Sequence, residues 1–293
     1  MIAAAQAQEH LGVQRDGYID VFAALRAADI EVMGRPMGGL LGLYVAPGDG
    51  GPACMLNCGL EEVSMRHTLA HELGHHRLGH GTSIDHDAHS TGRWGEGWPQ
   101  HEKEAEAFAS WFLMPLPAVL TALARCGITR PTCPADVYRM ARWLGTPYAT
   151  TVRHLVRLKM IDKATERLWL KHSPGVLKTE LAAGLAVAPG CHVHLLGPGA
   201  HSGTLHTAAG DCLLLEVPTA DWDGAPTGTS TQAPADQEQL SLLGGAIPAP
   251  QVLWVTTELT SPLTLTASTT TGEIFLLTVH RTPQRQGSDR FWA

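Results

Sequence analysis

Apolar residues recur at two different periods along this chain, and the change between them near residue 173 is its largest-scale feature. Up to about His172 the pattern is mainly helical. Ile19, Phe22, Ala23 and Leu25 share one face of an amphipathic helix expected over 15–31. Three short apolar runs follow at 30–33, 40–45 and 54–57, separated by Gly- and Pro-rich turns, and read as the strands of a small sheet. A helix then enters from Glu61, with no Pro or Gly before Gly74. The stretch from Glu102 to Met114 has an apolar face and is stopped by Pro115. Ala135–Leu144, a Gly145-Thr146-Pro147 turn and Tyr148–Leu158 follow the pattern of a helix-turn-helix. From Ser173 the helical signatures vanish. Runs at 191–196, 203–206, 211–217, 252–256, 263–267 and 273–279, rich in Thr and branched residues, read as strands. Residues 219–250, rich in Ala, Pro, Thr and Gly, read as a long loop. The expectation is an α+β protein of three segments: 1–125, a helical segment at 126–172, and a separate antiparallel β-domain at 173–293.

Composition narrows the classes. With 293 residues and a net charge of −7, the surface as a whole is not built for nucleic acid. No run of 18 apolar residues occurs, so no membrane-spanning helix is expected. The N-terminus lacks a basic stretch followed by an apolar one, which argues against an export signal and for the cytoplasm. Six scattered cysteines are then expected as reduced thiols.

The candidate chemistry lies in His71-Glu72-Leu73-Gly74-His75, an HExxH motif. Residues four apart on a helix share a face, so both imidazoles can reach one metal ion, and neutral imidazole suits zinc. Zinc lowers the pKa of a bound water toward about 7, and Glu72, on the adjacent turn, is placed to take its proton. A third ligand is needed. The position ten residues after His71, where metzincins place a histidine, is Gly81, so the thermolysin-like solution, a glutamate from a second helix, is favoured. Glu102 supplies it. Glu106, one turn on, is expected to fix the tautomer of a ligand histidine. Glu104 reads as a solvated first-turn acid. Met55, Leu56 and Asn57 are candidates for an edge strand that pairs with an extended substrate.

HTLAHELGH, followed some thirty residues later by a helix with the pattern ExxAxxFAxxxLMP, resembles the ImmA/IrrE family of bacterial metallopeptidases over roughly residues 15 to 165. Two positions depart from that family's pattern: Glu106 stands where Asn is usual, and His67 where Phe is common. The resemblance implies a thermolysin-like zinc endopeptidase domain. It also implies a protein substrate, a helix-turn-helix repressor cut to release a stress or mobile-element operon.

Two rival readings stay open. Between Arg139 and Lys171 there are 8 Lys/Arg against 2 Asp/Glu, so a DNA-binding regulator built on a peptidase fold is one, with Arg153 and Arg157 as candidate contacts to DNA or to a docked protein. A stand-alone peptidase of broad range is the other. His80, His86 and His89, with Asp85 and Asp87, are read as a solvated active-site loop, and His192, His194, His201 and His206 as surface residues of strands.

Overall fold

The computed structural model describes residues 1–86, 97–182, 184–216, 220–233, 252–259, 262–269 and 274–281. The chain forms two compact units. Among the described residues, one holds Met1–Val119 and Leu144–His154; the other holds Leu120–Trp143 and those within Leu155–Gln284. The boundary runs through helices and not at residues 125 and 172, so the helical segment 126–172 is shared between the two units.

In the first unit, α1 (Ile2–His10) is tied down by Gln8, whose buried amide donates to the carbonyl oxygen of Phe112 at 2.7 Å. α2 (Val21–Ala27) is much shorter than the helix expected over 15–31. Its start is set by Asp20, whose carboxylate accepts the N–H of Ala23 at 3.0 Å and caps the first turn. The sheet consists of β1 (Glu31–Arg35), β2 (Leu40–Val45), β3 (Ala53–Asn57) and β4 (Ser83–His86), in the order β1-β3-β2-β4. β1 and β3 run parallel, and β2 is antiparallel to both β3 and β4. Against this sheet pack α3 (Glu62–Leu78) and then α4 (Gln100–Leu113). Arg66 on α3 is fully buried. It donates to the carbonyl oxygens of Ile19 and Gly145, each at 2.8 Å, and its guanidinium lies over the Tyr18 ring. These bonds fix the start of α3 to two loops distant in sequence.

α5 (Leu116–Arg125), α6 (Pro134–Leu144) and α7 (Tyr148–Arg157) follow, then α8 (Lys163–Trp169) and α9 (Pro174–Leu181). α9 falls where helical signatures were expected to have ended. Ser173 caps it, accepting from the N–H of Val176, and Pro174 opens its first turn. The second unit carries two four-stranded sheets. One has the order β5 (Val193–Leu196), β7 (Cys212–Leu215), β10 (Val252–Val255), β9 (Thr229–Ser230). The other has the order β6 (Gly203–Thr207), β12 (Ile274–Arg281), β11 (Leu263–Thr269), β8 (Ala220–Trp222). Neither sheet is purely antiparallel, as had been expected: β5 pairs parallel with β7, and β6 with β12. The chain crosses to the other sheet between β5 and β7, and such a crossover returns neighbours in the same direction.

A buried polar node serves this unit. Asp211 accepts the backbone N–H groups of His192 and Ala208 at 2.8 and 3.0 Å, and bonds His194 Nε2 at 3.0 Å. Burial raises the Asp211 carboxyl, but the bond with His194 outweighs it and the group sits below its usual range. His194 is therefore a core residue and not the surface residue its strand pattern suggested. Its carboxylate partner is 17 positions away and invisible to local reading. All six cysteines are free thiols. Among the described residues no single helix is long and apolar enough to cross a membrane.

Candidate metal centre

α3 and α4 approach closely because Gly74 faces α4 without a side chain. A Cβ there would lie 3.1 Å from both the Ala105 carbonyl oxygen and the Phe108 ring. The glycine therefore serves the helix contact. The approach brings His71 and His75, on α3, to Glu102, on the first turn of α4. Nε2 of His71 lies 3.0 Å from Nε2 of His75 and 3.0 Å from Oε2 of Glu102; the third edge, His75 to Glu102, is 3.5 Å. Ligand atoms about 2.0–2.1 Å from a tetrahedral zinc ion are about 3.3–3.4 Å apart, so this triangle fits such an ion. The other Glu102 oxygen is held by Ser83 on β4, whose hydroxyl donates at 2.6 Å, and by His101 at 3.2 Å. One oxygen is thus anchored and the other presented.

Glu72 is fully buried, and neither carboxylate oxygen has a hydrogen-bond partner among the described residues. Burial pushes its carboxyl well above the usual range. The space it occupies is made by Gly42 on β2: a Cβ there would fall 2.4 Å from Glu72 Oε1. Asp85 on β4 pairs with Gly42 across the ladder, so its side chain leaves the sheet on that same face. Burial raises its carboxyl too. Asp85, expected in a solvated loop, lies on β4 instead, and Ser83 and Gly42 were missed. Their only signal is the cross-strand register, which sequence does not display.

Glu106 lies on the correct face of α4, but its short bond is to His67, at 2.8 Å; His71 Nδ1 is 3.8 Å from it. The two departures from the family pattern are therefore in contact with each other. Burial raises the Glu106 carboxyl, yet the charge and hydrogen bond of His67, with His71 beyond, hold it well below the usual range. Glu102 is likewise held low, its burial outweighed by hydrogen bonds from His71, His75 and Ser83.

The expected role of Met55, Leu56 and Asn57 is overturned. β3 is interior to the sheet, paired on both sides, so its backbone has no donors or acceptors left for a peptide. Leu56 is core, and the Asn57 amide braces the turn before β2, donating to the carbonyl oxygens of Met37 and Leu40. On this side of the sheet the edge is β4. In the basic helical segment Arg153 is partly exposed and Arg157 is exposed. Arg139 and Arg142 are buried, the first paired with Glu216 at 2.6 Å, so the surface is less basic than the sequence count. The stretch from Asp87 to His89 and the residue Trp94 lie outside the described residues.

Residues 29–129 match the family Peptidase_M78, described as an IrrE N-terminal-like domain. That span contains the sheet and both helices of the metal cluster, and it is a metallopeptidase domain of the ImmA/IrrE family. A comparison with curated proteins finds no match.

Proposed function

We propose that the chain is a zinc-dependent endopeptidase of the cytoplasm. His71, His75 and Glu102 are its metal ligands, and Glu72 is its general base. The observation that carries this reading is the convergence of three lone-pair donors beside a buried, unpartnered carboxylate. Such a carboxylate is costly to bury for stability alone. A zinc ion held by His71, His75 and Glu102 would supply Lewis-acid chemistry there, lowering the pKa of a water toward about 7 and polarising a carbonyl. Glu72 takes the proton of the attacking water on a carboxylate oxygen and passes it to the leaving amine. Burial raises its carboxyl above the usual carboxylate range, which makes it a stronger proton acceptor than an exposed glutamate. Ser83 and His101 keep one oxygen of Glu102 fixed, so that the other stays directed at the ion. An extended substrate pairs with β4, whose Ile84 is exposed and which has no second strand partner among the described residues.

The substrate we infer is a helix-turn-helix repressor of a stress or mobile-element circuit; family resemblance is its support. The DNA-binding reading loses ground with Arg139 and Arg142 buried. Elemental analysis tests the centre: wild type should carry about one zinc per chain, His71→Ala and His75→Ala none, and Glu102→Gln much less. Full zinc in the Glu102 variant would sink the ligand assignment.

A further inference from the structure

His75 turns Nε2 toward His71 and Glu102, so its Nδ1 faces away from the cluster. That Nδ1 is 3.0 Å from Nδ1 of His80, and Nε2 of His80 is 3.3 Å from Oε2 of Glu104. Glu104 is itself held through Oε1 by the Gln100 amide at 2.8 Å. The way α3 ends puts His80 there. Gly79 is left-handed at φ 69°, a conformation that suits glycine. The N–H of His80 reaches the carbonyl oxygen of His75 at 3.0 Å, and that of Gly79 reaches His76 at 3.2 Å. This pair of bonds is a Schellman motif, which folds the residue after the glycine back onto the one five positions earlier. The side-chain contact it creates is frequently apolar. Here it is imidazole on imidazole, with a carboxylate behind.

We propose that His80 is a positioning residue for the metal centre, accepting the Nδ1 proton of His75 and donating its own Nε2 proton to Glu104. The inference rests on His75 being a metal ligand through Nε2. Given that, the tautomers follow. A ligating Nε2 carries no proton, so Nδ1 of His75 is the donor. Nδ1 of His80 must then accept, which leaves the His80 proton on Nε2, facing an acceptor that has none to give. One assignment satisfies every atom in the chain from Glu104 to His75. Its effect is to hold the His75 ring in the orientation and tautomer that ligation needs. The motif also explains why His80 works from outside the register of the metal ligands.

The competing role is ring packing at the helix end, and substitutions separate the two. Gln at position 80 keeps an acceptor oxygen; Phe keeps the ring and loses the acceptor. Zinc affinity of the full chain is measured by competition with a chromophoric chelator, with metal-free melting curves alongside. His80→Phe should bind zinc about 10–100-fold more weakly, the range seen when such supports are removed, while His80→Gln stays within several-fold of wild type. The visible spectrum of the cobalt-substituted protein should shift with His80→Phe. Phe binding as tightly as wild type, or Phe and Gln equally weak, overturns the proposal. Should His80→Phe fail to fold, Glu104→Leu decides, because leucine offers His80 no acceptor and Glu104 is nearly half-exposed and tolerates change; unaltered affinity there overturns it as well. A wild type that takes up no zinc fails the metal assignment itself, a separate outcome.

Discussion

At the scale of single residues, the proposed base Glu72 depends on the glycine that makes room for it. Gly42→Ala places a methyl where the Glu72 carboxylate sits, 2.4 Å from Oε1. The expected result is full zinc content with activity down about 100-fold, the scale of an ångström of misplacement in a catalytic group. Unchanged kinetics would put the carboxylate elsewhere. His71 makes a second prediction. Burial disfavours its charged form, but the carboxylates of Glu102 and Glu106 outweigh that and hold its proton on well above the usual range. In the metal-free protein this ionisation stabilises the fold fully below the unfolded-state pKa of about 6.5, and the contribution is lost as pH rises through the folded value. Zinc must displace this proton, so its affinity should rise with pH across the neutral range. Calorimetry in buffers of different ionisation enthalpy should find about one proton released per ion, and none released would contradict it. The convergence of His71 and His75 was legible in the sequence because a helix puts residues four apart on one face. Gly42, Ser83 and Asp85 were not, because strand register relates residues some forty positions apart.

At the scale of elements, the contact between α3 and α4 is what assembles the centre. Gly74→Val should force the helices apart at Ala105 and Phe108, costing about 1–3 kcal/mol and weakening zinc binding through displacement of Glu102. Denaturant midpoints and chelator competition should move together; a change in stability alone would uncouple the contact from the site. Both helices were readable from their period. α2 and α9 were misjudged because single polar side chains, Asp20 and Ser173, set their first turns more firmly than the apolar pattern did. The substrate strand was misjudged for another reason. Apolar pattern marks β3 as a strand but carries no information on strand order, and β4, supplied by chain after the helix, takes the edge. In the β-rich unit, Asp211 joins β5 to β7 through His194. Asp211→Ala should cost about 3–5 kcal/mol in a denaturant titration, as removal of one partner of a buried pair does, and a change under 1 kcal/mol would remove it as a structural node.

At the scale of the whole molecule, the family match ends at residue 129, and the helices beyond it are divided between two compact units. Within the second unit, α6 depends on later strands: Arg139 pairs with Glu216, and the Tyr138 hydroxyl accepts from the backbone N–H of Val193 at 3.4 Å. A chain ended near His172 should therefore be cut by protease within 126–143, where the full chain resists. Equal resistance would show that α6 stands without the strands. The reaction proposed for this domain is hydrolysis of peptide bonds with Glu72 as base. The direct test compares zinc-loaded wild type with zinc-loaded Glu72→Gln on a proteome-derived peptide library read by mass spectrometry. Wild type should generate new termini and the variant should generate none while holding the same zinc. Cleavage at equal rates by both, or no cleavage by the zinc-loaded wild type, would contradict the account.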